Sequence, residues 1–126
     1  MDTQKFFVCK HCGNLVGMVL NHGVPLVCCG EKMTELVPNT IEANREKHLP
    51  VCEMSDNTLT VSVGSAAHPT EEAHHITFIY VETEHGGQRQ TLGPSTAPTA
   101  TFAFNDDKPV AVYAYCNIHG LWKVTI

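Results

Sequence analysis

The sequence predicts a mostly β protein: a small four-cysteine metal module followed by an immunoglobulin-like antiparallel β-sandwich. Three observations carry this. Cysteines pair closely at Cys9-Lys10-His11-Cys12 and at Cys28-Cys29, and a glycine follows each pair directly. From Val51 onward, apolar and polar residues alternate in about seven short runs separated by turn signals. Between these regions Val37-Pro38-Asn39-Thr40 breaks the pattern, which separates a module at residues 1–37 from a sandwich at residues 38–126.

The chain has 126 residues, enough for a small domain joined to a slightly larger one. At 43% hydrophobic it can bury a core, and no apolar run approaches the ~20 residues that span a bilayer. Its start, Met1-Asp2-Thr3-Gln4-Lys5, lacks the charged-then-apolar layout of a secretory signal, so a cytoplasmic location without membrane contact is expected. In a reducing compartment six cysteines read as metal ligands or reactive thiols before disulfides. Up to Val37, Lys5, Lys10 and Lys32 balance Asp2, Glu31 and Glu35, so the net charge of −5 lies in the remainder. That argues against nucleic acid, which calls for a basic face. An anionic substrate would need a local positive feature to attract it.

In the first module, four thiolates in two close pairs fit a tetrahedral sulfur site for zinc or iron. Leu15 to Leu20 and Val24 to Val27 read as strands around an Asn21-His22-Gly23 turn. So short a stretch cannot fold on apolar contacts alone, so the metal would supply folding energy. The competing reading is a redox-active C-x-x-C beside two unrelated cysteines. His11 is expected to face solvent, since four sulfurs complete the sphere. The adjacent pair Cys28-Cys29, with Cys9 and Cys12, resembles desulforedoxin, in which this arrangement holds one iron through four sulfurs. The resemblance covers roughly residues 1 to 37 and implies iron.

In the second region, Asn39 or Thr40 can cap a helical turn or two over residues 41–45. Glu46-Lys47-His48-Leu49-Pro50 reads as a loop, because Pro50 biases Leu49 toward an extended conformation. Strands follow where Leu59, Val61 and Val63 alternate with Thr58, Thr60 and Ser62, and where Ile76, Phe78 and Tyr80 alternate with their neighbours. Gly86-Gly87 is the expected hairpin turn before Gln88 to Leu92. Phe102 with Phe104, then Val110, Val112 and Ala114, mark two more faces, and Leu121 to Ile126 is the last strand. Cys52 is expected on a strand as a partly buried, inert thiol, and Trp122 in the core.

Eight histidines complete the pattern. Cys116-Asn117-Ile118-His119-Gly120 places a thiolate and an imidazole in a tight loop between two strands. His48 sits before Pro50, while His68 and His74 lie six residues apart ahead of a strand. Each alone reads as a surface or hydrogen-bonded histidine; together with Cys116 and His119 they read as one metal site of four nitrogens and one sulfur. His75 follows His74 on a strand and points to the opposite face. His22 and His85 sit at turns and are expected to be solvated. Two other classes compete. A blue-copper electron-transfer site also uses Cys and His on a β-sandwich, although four histidines are too many and no methionine follows His119. The other is a non-catalytic metal-binding or sensing protein with a structural zinc in its first module.

Glu46-Lys47-His48-Leu49-Pro50, His68-Pro69 with His74, and Cys116-Asn117-Ile118-His119-Gly120 together resemble superoxide reductase. With the four-cysteine module in front, the whole chain is similar to the two-iron form, the desulfoferrodoxins. The resemblance implies one iron at Cys9, Cys12, Cys28 and Cys29. It implies a second iron with His48, His68, His74 and His119 in a plane, Cys116 as axial ligand and the sixth position open. The implied activity is reduction of superoxide to hydrogen peroxide, with re-reduction by a rubredoxin-like electron donor. A thiolate opposite the open position would push electron density toward bound oxygen. Lys47 is the expected positive feature that steers superoxide, and Glu46 is expected to fill the open position once the iron is ferric. Members of the family pair as homodimers through the small module. Cys52 and the Ala100-Thr101-Phe102-Ala103-Phe104 strand are extras that the resemblance does not cover.

Overall fold

A computed structural model describes residues 3–41, 43–64 and 68–126, in two compact units, Met1–Val37 and Pro38–Ile126. In the first unit β1 (Phe6–Val8) is the central strand of a three-stranded antiparallel sheet, between β2 (Leu15–Gly17) and β5 (Thr34–Glu35). A separate hairpin joins β3 (Val27–Cys28) to β4 (Glu31–Lys32), with Cys28 opposite Glu31. Its two turn residues, Cys29 and Gly30, both have left-handed backbones, with φ of 54° and 77°. That is the signature of a tight hairpin turn whose twist matches its strands, a place usually held by Asn-Gly.

The expected strands of this unit are shorter in the structure. The one expected over Leu15 to Leu20 stops at Gly17, and Val19 and Leu20 are exposed. The one expected over Val24 to Val27 begins only at Val27, because Pro25 has no N–H for a ladder. Phe6 and Cys9 are this unit's buried apolar side chains among the described residues.

The second unit carries α1 (Arg45–His48), β6 (Pro50–Ser55), β7 (Thr58–Val63), β8 (Ile76–Thr83), β9 (Gly86–Thr91), β10 (Thr99–Ala103), β11 (Pro109–Cys116) and β12 (Gly120–Thr125). They form two antiparallel sheets, in the orders β10-β7-β6 and β12-β11-β8-β9. Leu59, Val61 and Val63 of one sheet share a buried cluster with Ile79, Val81, Val112 and Ala114 of the other, so the sheets pack face to face as the alternation predicts.

Four local expectations differ from the structure. The helical turn expected over residues 41–45 runs instead over Arg45–His48, and Glu42 lies outside the described residues. Asn44 is its cap: the side-chain oxygen accepts the Glu46 N–H at 2.9 Å. Glu46, Lys47 and His48 therefore lie on a helical turn and not in a loop, and Pro50 ends that turn by holding Leu49 extended. The β8–β9 turn is Glu84-His85, since Thr83 pairs with Gly86 and Glu82 with Gly87. Gly87 is needed for space, because a Cβ there would overlap the Tyr80 phenol. His75 precedes β8 and is not part of it.

Register then decides where the loops gather. Pro50 pairs with Val63, Ile76 with Cys116, and Gly120 with Cys116. Within each sheet, the start of β6 and the end of β7 share one end, as do the start of β8, the end of β11 and the start of β12. A register shift between Tyr115 and Cys116 leaves Thr77 as an extra residue on β8. Such a bulge re-aims the strand that carries it, here the start of β8; Cys116 is fully buried on the same face of β11 as Val112 and Ala114.

Candidate metal centres

The sulfur atoms of Cys9, Cys12, Cys28 and Cys29 all lie within 4.8 Å of one another. Adjacent side chains on a regular strand point to opposite faces, so Cys28 and Cys29 can meet only because Cys29 sits in the left-handed turn. The other pair bends around Gly13, φ 82°, whose N–H donates to the Cys9 carbonyl at 2.9 Å. None of the six cysteines is in a disulfide. The Cys12 and Cys28 sulfurs are 3.6 Å apart, far beyond a bonded pair. That distance is close to the edge of a tetrahedron with metal–sulfur bonds of about 2.3 Å. Backbone N–H groups, chiefly that of Cys12, draw the Cys9 thiol down to about 6. Hydrogen bonding within the set, first with Cys12, pushes Cys29 up to about 12. The set gives up the Cys9 proton readily and holds those of Cys28 and Cys29, unless a cation takes the protons' place.

At the other cluster, ligand atoms of His48, His68, His74 and Cys116 also lie within 4.8 Å of one another. His119 joins them: its Nδ1 is 3.1 Å from His48 Nε2 and 3.9 Å from Cys116 Sγ. The four rings form a closed circuit, His48–His68 4.7 Å, His68–His74 4.9 Å, His74–His119 5.0 Å and His119–His48 4.9 Å, each nearly perpendicular to the next. Rings at the corners of a tetrahedron would all be equidistant. The diagonal, His48–His74, is 6.4 Å, so the arrangement is close to a square.

The tautomers follow from the backbone. His48 Nδ1 is 2.6 Å from the Asn44 carbonyl, and His68 Nδ1 is 2.8 Å from that of Pro69. A carbonyl only accepts, so in both rings Nδ1 carries the proton and Nε2 turns a lone pair inward. The buried Nε2 atoms of His68 and His74 have no hydrogen-bond partner, an arrangement costly in an apolar pocket and natural for a ligand. Burial first, and then neighbouring histidines, hold His48 and His74 below the ordinary imidazole range; the same causes bring His68 down to about 4. The rings are therefore neutral and able to donate to a metal. The 3.1 Å between two donor nitrogens is the chord across a right angle for bonds of about 2.2 Å, close to ordinary metal–imidazole lengths.

The sheet ends hold these donors. His48 closes α1, His68 and His74 belong to the β7–β8 connection, Cys116 ends β11, and His119 lies in the turn to β12. Trp122 does more than fill the core. Its ring stacks on His48 at 5.0 Å and its indole N–H donates to the His119 carbonyl at 3.1 Å. The His119 N–H in turn donates to the Cys116 sulfur at 3.4 Å. Glu46 and Lys47 are exposed on α1 beside His48, and the Lys47 charge helps to lower the basicity of both His48 and His74.

The remaining candidates lie elsewhere. His11 pairs with Glu31 at 3.0 Å, and His85 with Asp107 at 3.2 Å. The His75 ring turns to the Glu71 and Glu72 carbonyls, and His22 is exposed. Cys52 is partly buried against the core, where burial raises its thiol pKa. Sequence reading missed the supports: Asn44, the Pro69 carbonyl and the Trp122 stack. Asn44 had a visible signal, an Asx residue just before Arg-Glu-Lys-His; the other two are long-range or backbone contacts.

Comparison with known proteins adds to this geometry. The desulfoferrodoxin family matches residues 40–125, and the desulfoferrodoxin N-terminal domain matches residues 2–36. The chain is 43% identical to the desulfoferrodoxin of Nitratidesulfovibrio vulgaris over 122 residues, 97% of this chain and 96% of that one. It is 40% identical to the superoxide reductase of Pyrococcus horikoshii over 97 residues, covering 62% of this chain and 84% of that one. The crystal structure of the superoxide reductase from Treponema pallidum superposes with a TM-score of 0.83 at 34% identity, covering 98% of this chain and all of that one. In this setting the four-sulfur set and the histidine–cysteine set both fit iron. From its first module to its last strand, the chain belongs to the desulfoferrodoxin family.

Proposed function

We propose that this chain is a superoxide reductase, which reduces superoxide to hydrogen peroxide with one electron and two protons. The observation that carries the proposal is the square of four imidazoles with the Cys116 sulfur as fifth donor. A blue-copper site needs two imidazoles and a thiolate in a trigonal set, which a square of four does not offer. Nitrogen donors of this kind suit ferrous iron, which these five protein donors would hold. When bound, ferrous iron supplies the electron.

The chain's own residues do the rest. Cys9, Cys12, Cys28 and Cys29 hold the first iron. His48, His68, His74 and His119 would hold the second, and the Cys116 thiolate would raise its electron density. Lys47 attracts superoxide toward a unit whose net charge is negative. Glu46, its neighbour on α1, would offer a carboxylate near the same site. A small rubredoxin-like protein returns the electron. We assign residues 1–37 to the four-sulfur module and residues 38–126 to the catalytic sandwich.

Val19, Leu20, Val24 and Val27 stand exposed on the small unit, at 67% or more. Single exposed apolar residues are ordinary, but four in so short a stretch support pairing with a second copy. Six free thiols fit a reducing, cytoplasmic setting, and no helix among the described residues is long and apolar enough to cross a membrane.

Three measurements test these readings. With excess reductant, the iron-loaded protein should form one hydrogen peroxide for each superoxide consumed; half that yield would identify dismutation and overturn the proposal. Lys47→Ile should slow the reaction of the ferrous protein with pulse-generated superoxide by roughly one order of magnitude and flatten its dependence on salt, with metal content unchanged. An unchanged rate and salt slope would make Lys47 a merely solvated charge. Sedimentation should show a species of twice the 13.8 kDa chain, and a monomer at micromolar concentration would rule out the pairing.

A further inference from the structure

Asn117 stands between the two donors Cys116 and His119, yet its own contacts reach back to the β7–β8 connection. That connection is closed locally: the Glu71 and His74 backbones exchange two hydrogen bonds of 3.0 Å each. Local closure sets the shape of the turn carrying His74 but not its place relative to the other donors. Asn117 supplies that placement. Its side-chain oxygen accepts the His75 N–H at 2.9 Å, and its side-chain nitrogen donates to the Ala73 carbonyl at 3.0 Å. Its backbone N–H donates to the His75 carbonyl at 3.2 Å. The residues before and after His74 are thus both tied to one amide, and each partner accepts only one orientation of it.

We infer that Asn117 is a positioning residue, which sets His74 against the turn that carries Cys116 and His119 and so holds the square of imidazoles closed on the side away from α1. The inference rests on the proposed reading of His74 as an iron ligand. Partners that orient metal ligands typically carry a 10–100-fold effect on metal affinity or activity. Asn117 is exposed, so its loss leaves the buried core between the sheets untouched.

The test uses the iron-loaded full chain, with the four-sulfur iron as internal reference. In Asn117→Ser, iron release from the histidine site to a strong chelator should be about tenfold faster, and the electron paramagnetic resonance signal of the ferric site should change in rhombicity. The four-sulfur centre should be unaffected. Asn117→Asp retains an acceptor for the His75 N–H but sets a carboxylate oxygen, in place of the donor, against the Ala73 carbonyl, so it too should release iron faster than the parent. It also serves if the serine variant fails to fold. Parent-like release and signal in the folded variants would overturn the inference. His74→Ala separates the two claims. If that variant keeps its iron with a parent-like signal, the ligand reading fails; if it loses iron while the Asn117 variants remain parent-like, only the positioning role fails.

Discussion

Lone pairs from neutral histidines converge with a thiol at one end of this sandwich, with no hydrogen bonds to satisfy all of them. Two buried imidazole nitrogens have no partner, and burial holds His48, His68 and His74 away from protonation. A pocket of that kind is a liability in a metal-free fold, because each unsatisfied buried polar group costs about 1–3 kcal/mol. A single cation removes the cost at every donor together. The surrounding architecture is best understood as the means of holding these atoms in place before the metal arrives.

That holding is divided among unlike devices. Sheet register puts the starts of β8 and β12 beside the end of β11, and strand alternation turns Cys116 inward with Val112 and Ala114. A capped helical turn presents His48, whose ring is fixed by a backbone carbonyl on its edge and by Trp122 on its face. A carbonyl also selects the tautomer of His68. In the small unit the constraint is reversed. Little apolar surface is buried there, so the metal has to supply folding energy, and the chain adopts a left-handed cysteine to let Cys28 and Cys29 share one centre. Left-handed backbone at a non-glycine residue costs roughly 1–2 kcal/mol. Metal–sulfur bonding would offset it.

Much of this was legible in the sequence, for physical reasons that differ by element. The β-sandwich followed from strict alternation at Leu59, Val61 and Val63, which the structure buries on one face. The donors stood out because Cys and His rarely cluster without a task. What stayed hidden was local and competitive. Helix start depended on Asn44 winning the capping role over Asn39 and Thr40, which propensity alone does not rank. Gly86-Gly87 looked like a turn, but Gly87 serves the Tyr80 ring across the strand pair. The ties of Asn117 and Trp122 join residues distant in sequence, and no periodicity reports such contacts.

The central claim is that Cys116 and the imidazoles share one iron. Replacing Cys116 by Ser and recording the visible spectrum of the oxidised, iron-loaded protein tests it most directly. A serine oxygen is a poor soft donor, so the sulfur-to-iron absorption of the second centre should disappear while the four-sulfur centre keeps its own bands. A variant that retained that absorption would contradict the account, because the thiolate would then lie outside the iron's coordination sphere.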